Sequence, residues 1–420
     1  MKRALLIAHG TAGDVFPFVW LGRMLQASGC ECTLISSQEF KAFINGTGLG
    51  FHPLRGDNFK ETLAAPDRLK PWAGTHSCFR FAGRATGTIA DTVEEWMKAN
   101  GKPDILFAPS ICFGARLVRE KHGIALVTTH LSPLSIHSIH SPPLFLPRLK
   151  WLRWLPYRLR HLFLSGPSPF EASAMPAVKE HCERLGVRPP KRLREEWWDS
   201  PDGSLALFPE WFAVPQPDWP TNLLQLDFPL EDLAPTTGGL SPRLKKFLAQ
   251  GEPPVVFTAG SFNFKASPFF KVATETVRQT GCRAVLVCSR FDQVPADLGD
   301  RIIATEYEPF SQLLPNALAF VHRGGIGTLS QGLAAGVPQI VIPEVNDQHD
   351  NAERLARLGA GTILSSRSLN VRALARAIGK GIRDFQFKQR ATEYSAMRRS
   401  KDTKEVLASW MQSCLKRAVK

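Results

Sequence analysis

The sequence predicts an α/β protein made of two consecutive doubly wound parallel-sheet domains. Three observations carry this. Over residues 1–130, short apolar runs closed by glycine or proline alternate with amphipathic stretches. The alternation stops in a Pro-, Trp- and Arg-rich stretch at 132–220 and restarts after 244. At 420 residues the chain also exceeds the usual size of one domain. Strands separated by helices imply right-handed crossovers and hence parallel pairing.

Taken in order, "RALLIAHG" is a continuous apolar run ending in Gly, as expected of a strand covered on both faces. "FPFVWLGRMLQASG" has helical spacing and a terminal glycine. "CECTLISS" and "GLGFHPL" read as strands, "TIADTVEEWMKAN" as a helix, "PDILFAPS" as a strand, "FGARLVREKHG" as a helix and "IALVTTH" as a strand. The polar, Pro/Gly-rich "DFPLEDLAPTTGGLSPRL" at 227–243 marks the domain boundary. Beyond it, "PPVVFTAGS", "CRAVLVCS", "RIIATEYEP", "LAFVHRGG", "PQIVIPE" and "GTILS" are strands, with helical segments between them. The expected organisation is therefore a first domain at 1–226, a linker at 227–243 and a second domain at 244–400. An amphipathic helix at 401–420 can pack back on the first domain. Doubly wound sheets bind ligands beyond the C-terminal ends of their strands. A ligand in a cleft between the two domains is the natural expectation.

Composition narrows the function. Lys and Arg number 52 against 38 Asp and Glu, a formal charge of +14 that attracts anions. The sequence lacks a basic arm and any homeodomain, zinc-finger or RNA-recognition pattern, so nucleic acid is not the expected partner. The eight cysteines are scattered without a C-x-x-C, as small buried hydrophobes in a reducing compartment would be. The apolar run at the N-terminus ends after five residues, short of the roughly 7–15 of a signal peptide. No run reaches the roughly 18 apolar residues of a membrane span. A cytoplasmic location is expected.

Four short pieces could carry chemistry. In "HRGGIGTL", Gly324 and Gly325 follow a strand and open a helix, so backbone N–H groups and the helix N-terminus could meet an anion. His322 and Thr328 could add hydrogen bonds to phosphate oxygen, and Arg323 could reach phosphate or face solvent. The same turn is also ordinary in α/β cores, and neither a Walker loop nor a dinucleotide fingerprint is present. In "PEVNDQHDNAERL", Asp347 and Gln348 offer an acceptor and an amide, which suits sugar hydroxyls. Helix capping by Asp350 or Asn351 explains part of that polarity. In "FTAGSFNF", Gly260 and Ser261 could contact a diphosphate. In "EYEPFSQLLP", Tyr307 and Pro309 could flank a nucleobase, with backbone groups near Glu308 reading its edge. In the first domain, "AHGTAGDVFPF" places Asp14 either as a general base or as a helix N-cap, while His9, ending a buried strand, reads as structural.

These pieces, in this order, resemble the family 1 glycosyltransferases of the GT-B fold, and the likeness spans essentially the full chain. "HRGGIGTLSQGLAAGVPQIVIPEVNDQHDNAERL" looks like the family's nucleotide-sugar signature, and "GTAGDVFPF" resembles its G-D-V-x-P start. Within the family, "TAGDVFPF", "LFPEWFAVPQPDWP" and "AAGVPQIVIPEVNDQHDNAERL" are most similar to the rhamnosyltransferases of bacterial rhamnolipid synthesis. The resemblance implies inverting transfer of a sugar from a nucleoside diphosphate, dTDP-L-rhamnose, to a hydroxyl of a hydroxy-fatty-acid ester. Alternatives are a UDP-glucose-dependent enzyme acting on a sterol, polyketide or other lipophilic molecule, and a catalytically silent partner of another transferase.

By carry-over, Ser261, His322, Gly324, Gly325 and Thr328 would hold the diphosphate. Tyr307 and Glu308 would contact the base, Asp347 and Gln348 the sugar, and Asp14 would take the acceptor's proton. Thr11, Phe16 and Ser110 are acceptor-side candidates. No metal and no cofactor are implied beyond the nucleotide-sugar co-substrate. One departure stands out. Many members carry His at the Asp14 position, oriented by a carboxylate near the end of the fourth strand, whereas that strand here ends in Ser110.

The stretch 143–164, "PLFLPRLKWLRWLPYRLRHLFL", interleaves Leu, Trp and Phe with Arg and Lys. It is either an interfacial element collecting an amphiphilic acceptor at the inner membrane or a lid with a solvated basic face.

Overall fold

In the computed structural model, which describes residues 1–56, 70–144, 147–166, 168–230, 239–260, 266–397 and 403–418, the chain divides into two units. One comprises residues 1–229 with 402–420, the other residues 230–401.

The first unit holds seven parallel strands: β1 (Lys2–Ile7), β2 (Cys30–Ser36), β3 (Gly50–Pro53), β4 (Ile105–Ala108), β5 (Ala125–His130), β6 (Gly203–Ala206) and β7 (Leu223–Gln225). Their order is β3-β2-β1-β4-β5-β6-β7. The apolar run of β1 is buried on both faces. Leu5 and Ile7 join one core layer with Ile89 and Val93, while Ala4 and Leu6 join the other with Phe18 and Leu25. Helix α1 (Ala12–Ala27) follows β1, and the long α2 (Pro71–Asn100) precedes β4. The Pro/Trp/Arg-rich stretch folds into short pieces, including α3 (Tyr157–Leu164) and α4 (Glu171–Leu185), before β6. The helix Thr403–Ala418 buries Leu407, Met411 and Cys414 in the same layer as Leu6 and Phe18.

The second unit begins with α5 (Pro242–Ala249). Its six parallel strands are β8 (Val255–Thr258), β9 (Ala284–Val287), β10 (Ile302–Thr305), β11 (Ala319–His322), β12 (Gln339–Val341) and β13 (Gly361–Ile363). Their order is β10-β9-β8-β11-β12-β13. Val255 and Phe257 face one layer and Val256 the other, so these strands too are covered twice. Helices α6 (Ile326–Ala334) and α7 (Gln348–Leu358) follow β11 and β12.

In each unit the order reverses beside its first strand, between β1 and β4 and between β8 and β11. Open parallel sheets bind their ligands just outside the C-terminal ends of such strands. The turns after β1, β4, β8, β10, β11 and β12 are those that carry the residues singled out from the sequence.

Candidate functional site

His322 ends β11 fully buried. Its Nδ1 accepts a hydrogen bond from the Gly324 N–H at 3.0 Å, and its Nε2 faces Gln339 Oε1 at 2.8 Å. Gln339 Oε1 can only accept, so Nε2 carries the proton. Burial pushes the imidazole down to about 4, which keeps the ring neutral. Both nitrogens of His322 are engaged inside the turn in this structure, and the ring shapes it.

Gly324 has φ +93°, and a Cβ there would lie 2.7 Å from Val341 Cγ1 and 3.1 Å from the Gln348 carbonyl oxygen. Gly324→Ala should therefore cost roughly 2 kcal/mol or more in urea unfolding, together with a weaker grip on nucleotide in titration calorimetry.

Gly325 stands at the N-cap of α6. The first bond within that helix runs from Leu329 N–H to Gly325 O at 3.0 Å. The N–H groups of Ile326, Gly327 and Thr328 thus precede the helical ladder, as an anion at a helix N-terminus requires. Thr328 is half-buried in this first turn. Arg323 does not face solvent: it is buried, pairs with Glu344 at 2.7 Å and lies 4.7 Å from the centre of the Phe269 ring.

Asp347 takes the N-cap position of α7 and Gln348 its first residue. Gln348 Oε1 accepts from the N–H groups of Glu344 (2.9 Å) and Val345 (3.1 Å), leaving the amide nitrogen as its donor. Asp347 Oδ2 accepts from Asn351 Nδ2 at 2.7 Å, and the same amide donates to Gly324 O at 3.0 Å. Asn351 thereby ties the glycine turn to the Asp-Gln pair. The capping position expected of Asp350 or Asn351 is corrected, since Asp347 holds it and Asp350 is buried in the first turn, paired with Arg354 at 2.7 Å.

Tyr307 is exposed in the loop after β10. Glu308 beside it is buried. Its carboxylate accepts from Ser241 Oγ (2.5 Å), Ser241 N–H (3.0 Å) and Thr305 Oγ1 (2.8 Å). That side chain anchors the N-terminus of α5, so only the backbone around it is free to read a base. Gly260 closes β8 with φ +76°. Ser261 lies outside the described residues.

In the first unit, Asp14 is not the N-cap of α1. Thr11 holds that position and Asp14 sits three residues on. Asp14 Oδ2 accepts from the Thr11 N–H (2.7 Å) and Thr11 Oγ1 (2.8 Å). Desolvation by burial raises the carboxyl above the ordinary range, outweighing the two Thr11 bonds and the charge of His9, which lower it. Gly10 makes room for this carboxylate, since a Cβ there would meet Asp14 Oδ2 at 2.3 Å. Cys112 is close enough that Asp14's charge adds to the burial that pushes its thiol up to about 12.

His9 is buried against Phe81, ring centres 4.7 Å apart, as a structural histidine would be. Phe16 packs edge-on against Phe43 (4.8 Å) and Phe40 (5.9 Å). Ser110 is buried two residues beyond the end of β4. A His–carboxylate pair does occur, His130 to Asp199 at 2.8 Å, but His130 is fully buried and its other nitrogen meets Ser135 Oγ at 3.0 Å.

The first unit also contains a cavity of about 260 Å³ among the described residues. Trp72, Phe79, Phe163, Phe170 and Trp198 give it an apolar wall, and His137, Glu171 and Arg194 supply polar groups. His137 is pushed down to about 4, first by burial and then by the charge of Arg194.

The sequence pattern did not point to Gln339 as the partner of His322, nor to the tie that Asn351 makes between the glycine turn and Asp347. A glutamine inside the apolar run "QIVIP" was the available signal, because a buried polar side chain needs a partner. Among the described residues, no group of three or more His, Cys, Asp or Glu is placed to hold a metal.

Two doubly wound parallel-sheet units, one ending its β11 in a glycine turn tied to an Asp-Gln pair, define the architecture of nucleotide-sugar transferases. Residues 4–140 match the glycosyltransferase family 28 N-terminal domain. Residues 286–410 match the C-terminal domain of the erythromycin biosynthesis protein CIII-like family. The chain is 29% identical over 376 residues to glycosyltransferase GtfE of Amycolatopsis orientalis, covering 86% of this chain and 85% of that protein. It is 28% identical over 422 residues to O-mycaminosyltylonolide 6-deoxyallosyltransferase of Streptomyces fradiae, covering 91% and 90%. The crystal structure of the kitacinnamycin glycotransferase superposes with a TM-score of 0.73 at 18% identity, covering 98% of each chain. The chain is a glycosyltransferase of the GT-B fold.

Proposed function

We propose that the protein moves L-rhamnose from dTDP-L-rhamnose, with inversion, to a hydroxyl of a lipid-like acceptor such as a 3-(3-hydroxyalkanoyloxy)alkanoate. The observation that carries the lipid-like acceptor is the cavity walled by Trp72, Phe79, Phe163, Phe170 and Trp198, which suits an acyl chain. A 6-deoxyhexose donor is favoured by the sequence resemblance to rhamnolipid rhamnosyltransferases and by the Streptomyces relative named for transfer of 6-deoxyallose.

In this reading Tyr307 lies against the base, while the backbone beside Glu308 reads its edge. Gly325 and the free N–H groups of α6, with Ser261 and Thr328, hold the diphosphate. Asp347 accepts from a sugar hydroxyl and the Gln348 amide donates to one. The acceptor oxygen bonds to the anomeric carbon from the face opposite the leaving diphosphate, the bond from that carbon to the phosphate oxygen breaks, and the acceptor's proton passes to Asp14. The leaving diphosphate's charge goes to backbone donors and the helix end, so no metal or cofactor is needed.

The test offers a panel of dTDP- and UDP-sugars and lipophilic alcohols to the purified protein, with products read by mass spectrometry. A rhamnosylated hydroxyacyl ester is the expected product. Glucosylation of a sterol or polyketide from UDP-glucose would replace this donor and acceptor, and nucleotide binding without any product would make the protein a silent partner. Gly166 lines the cavity, and a Cβ there meets nothing within 4 Å. Gly166→Trp should therefore raise the acceptor KM about tenfold or more while donor affinity stays unchanged. An unaltered acceptor KM would place the acceptor elsewhere.

A further inference from the structure

Seven of the fifteen large apolar side chains exposed among the described residues fall within residues 149–163. Trp154 is 77% exposed, Leu162 73% and Phe163 59%, with Trp151 and Leu159 beside them. Helix α3 buries no residue at all. A helix that leaves its apolar side chains in water has not been partnered by the core.

The segment is nonetheless fastened to the first unit. Leu152 is buried, Arg153 Nε donates to Pro142 O (2.8 Å) and Arg160 Nη1 donates to His140 O (2.6 Å). Tyr157 packs on His140 with ring centres 4.7 Å apart, and Trp151 meets Phe163 at 6.0 Å. What stays exposed is therefore a held surface.

Its charge is one-sided. Lys150, Arg153, Arg158 and Arg160 lie among the apolar groups, and no Asp or Glu occurs between Glu120 and Glu171. Exposed Trp, Leu and Phe interleaved with cations match an interface whose surface is anionic and whose interior is apolar. The patch is also continuous with the cavity, since Leu149, Phe163 and Leu164 line it. A soluble partner's surface would call for acidic side chains around an apolar centre. An anionic bilayer supplies both over the whole segment.

We propose that residues 147–164 dock the protein on anionic membranes and that an amphiphilic acceptor enters the cavity from that bilayer. The second half rests on the acceptor reading above; the docking itself does not. The full-length protein is expected to co-sediment with mixed phosphatidylglycerol–phosphatidylcholine vesicles and not with phosphatidylcholine alone, and to be released by high salt. Trp154→Ser combined with Leu162→Ser, neither of which lines the cavity, should lower vesicle partitioning at least tenfold.

Failure of the unaltered protein to bind anionic vesicles overturns the docking, as does binding that the double variant leaves intact. Concentration-dependent self-association in sedimentation velocity, abolished by the same two substitutions, would instead make the patch an interface between copies and overturn it equally. Transfer to a water-soluble short-chain acceptor, measured without vesicles, separates the two readings. Transfer without docking sinks only the membrane proposal, and docking without transfer sinks only the catalytic one.

Discussion

Asp14→Asn is expected to leave nucleotide binding in place while lowering turnover by roughly 10²-fold or more. The amide keeps the shape of the carboxyl, and its oxygen can still accept from Thr11 N–H and Oγ1, so the entry to α1 survives. What disappears is a group able to take the acceptor's proton. The raised pKa of this carboxyl makes it a better base than an exposed aspartate of pKa about 3.9. Activity of the unaltered protein should therefore fall on acidification at a pH above the ordinary carboxylate range, and the variant should lack that limb.

Stability supplies the control. For an acid whose folded pKa is raised, the folded state holds the proton more tightly. Its stabilising share is then complete below the unfolded pKa and is lost as pH rises through the folded one. Above the unfolded carboxylate range the buried Asp14 is a net cost, which asparagine does not incur. Scanning fluorimetry should find the variant melting at the same or a higher temperature at pH 7, with the gap closing in acid. Unchanged turnover would reduce Asp14 to a residue that only completes the helix start.

Much of the fold is legible because β1, β5, β8 and β11 are covered on both faces, and such strands write themselves as unbroken apolar runs. The less legible parts have local reasons. β6 and β7 are four and three residues long, and their strand state comes from pairing at the edge of an existing sheet. Only the second half of α2 reads as a helix, because Gly83 and Gly87 interrupt the first. Those glycines let α4 approach: a Cβ would lie 2.8 Å from Ala174 at one and 2.5 Å from the His181 ring at the other. Close packing there overrides the poor helix propensity of glycine.

The candidate site divides in the same way. The glycine turn and the Asp347–Gln348 pair are visible as sequence only in combination, since each alone is ordinary at strand ends in α/β cores. The direction of the neighbouring side chains is not visible. His322, Arg323 and Glu308 all turn inward to Gln339, Glu344 and Ser241, partners 17, 21 and 67 residues away, a pairing set by strand order and not by local spacing.

That inward turn of His322 has its own measurable consequence. The ring is neutral with a pKa of about 4, whereas an unfolded chain would protonate it near 6.5. As pH falls below 6.5 the unfolded state gains a proton that the folded state refuses, and stability drops until the folded ring titrates near 4. The share from this one residue should reach about 2 kcal/mol at pH 5 and approach 3 kcal/mol at pH 4. His137 is depressed as well, so the acid sensitivity of the whole protein is larger, and the contribution of His322 must be read as a difference.

His322→Asn provides that difference, since its amide oxygen falls near Nδ1 and can accept from Gly324 N–H, while Gln339 Oε1 loses its donor. Urea unfolding should find the variant less stable than the parent at pH 7.5, by roughly 1–3 kcal/mol for the unpaired buried oxygen. On moving to pH 5 the variant should lose about 2 kcal/mol less than the parent, so the two stabilities converge. Parallel pH profiles would mean that the ring does not stay neutral in the fold.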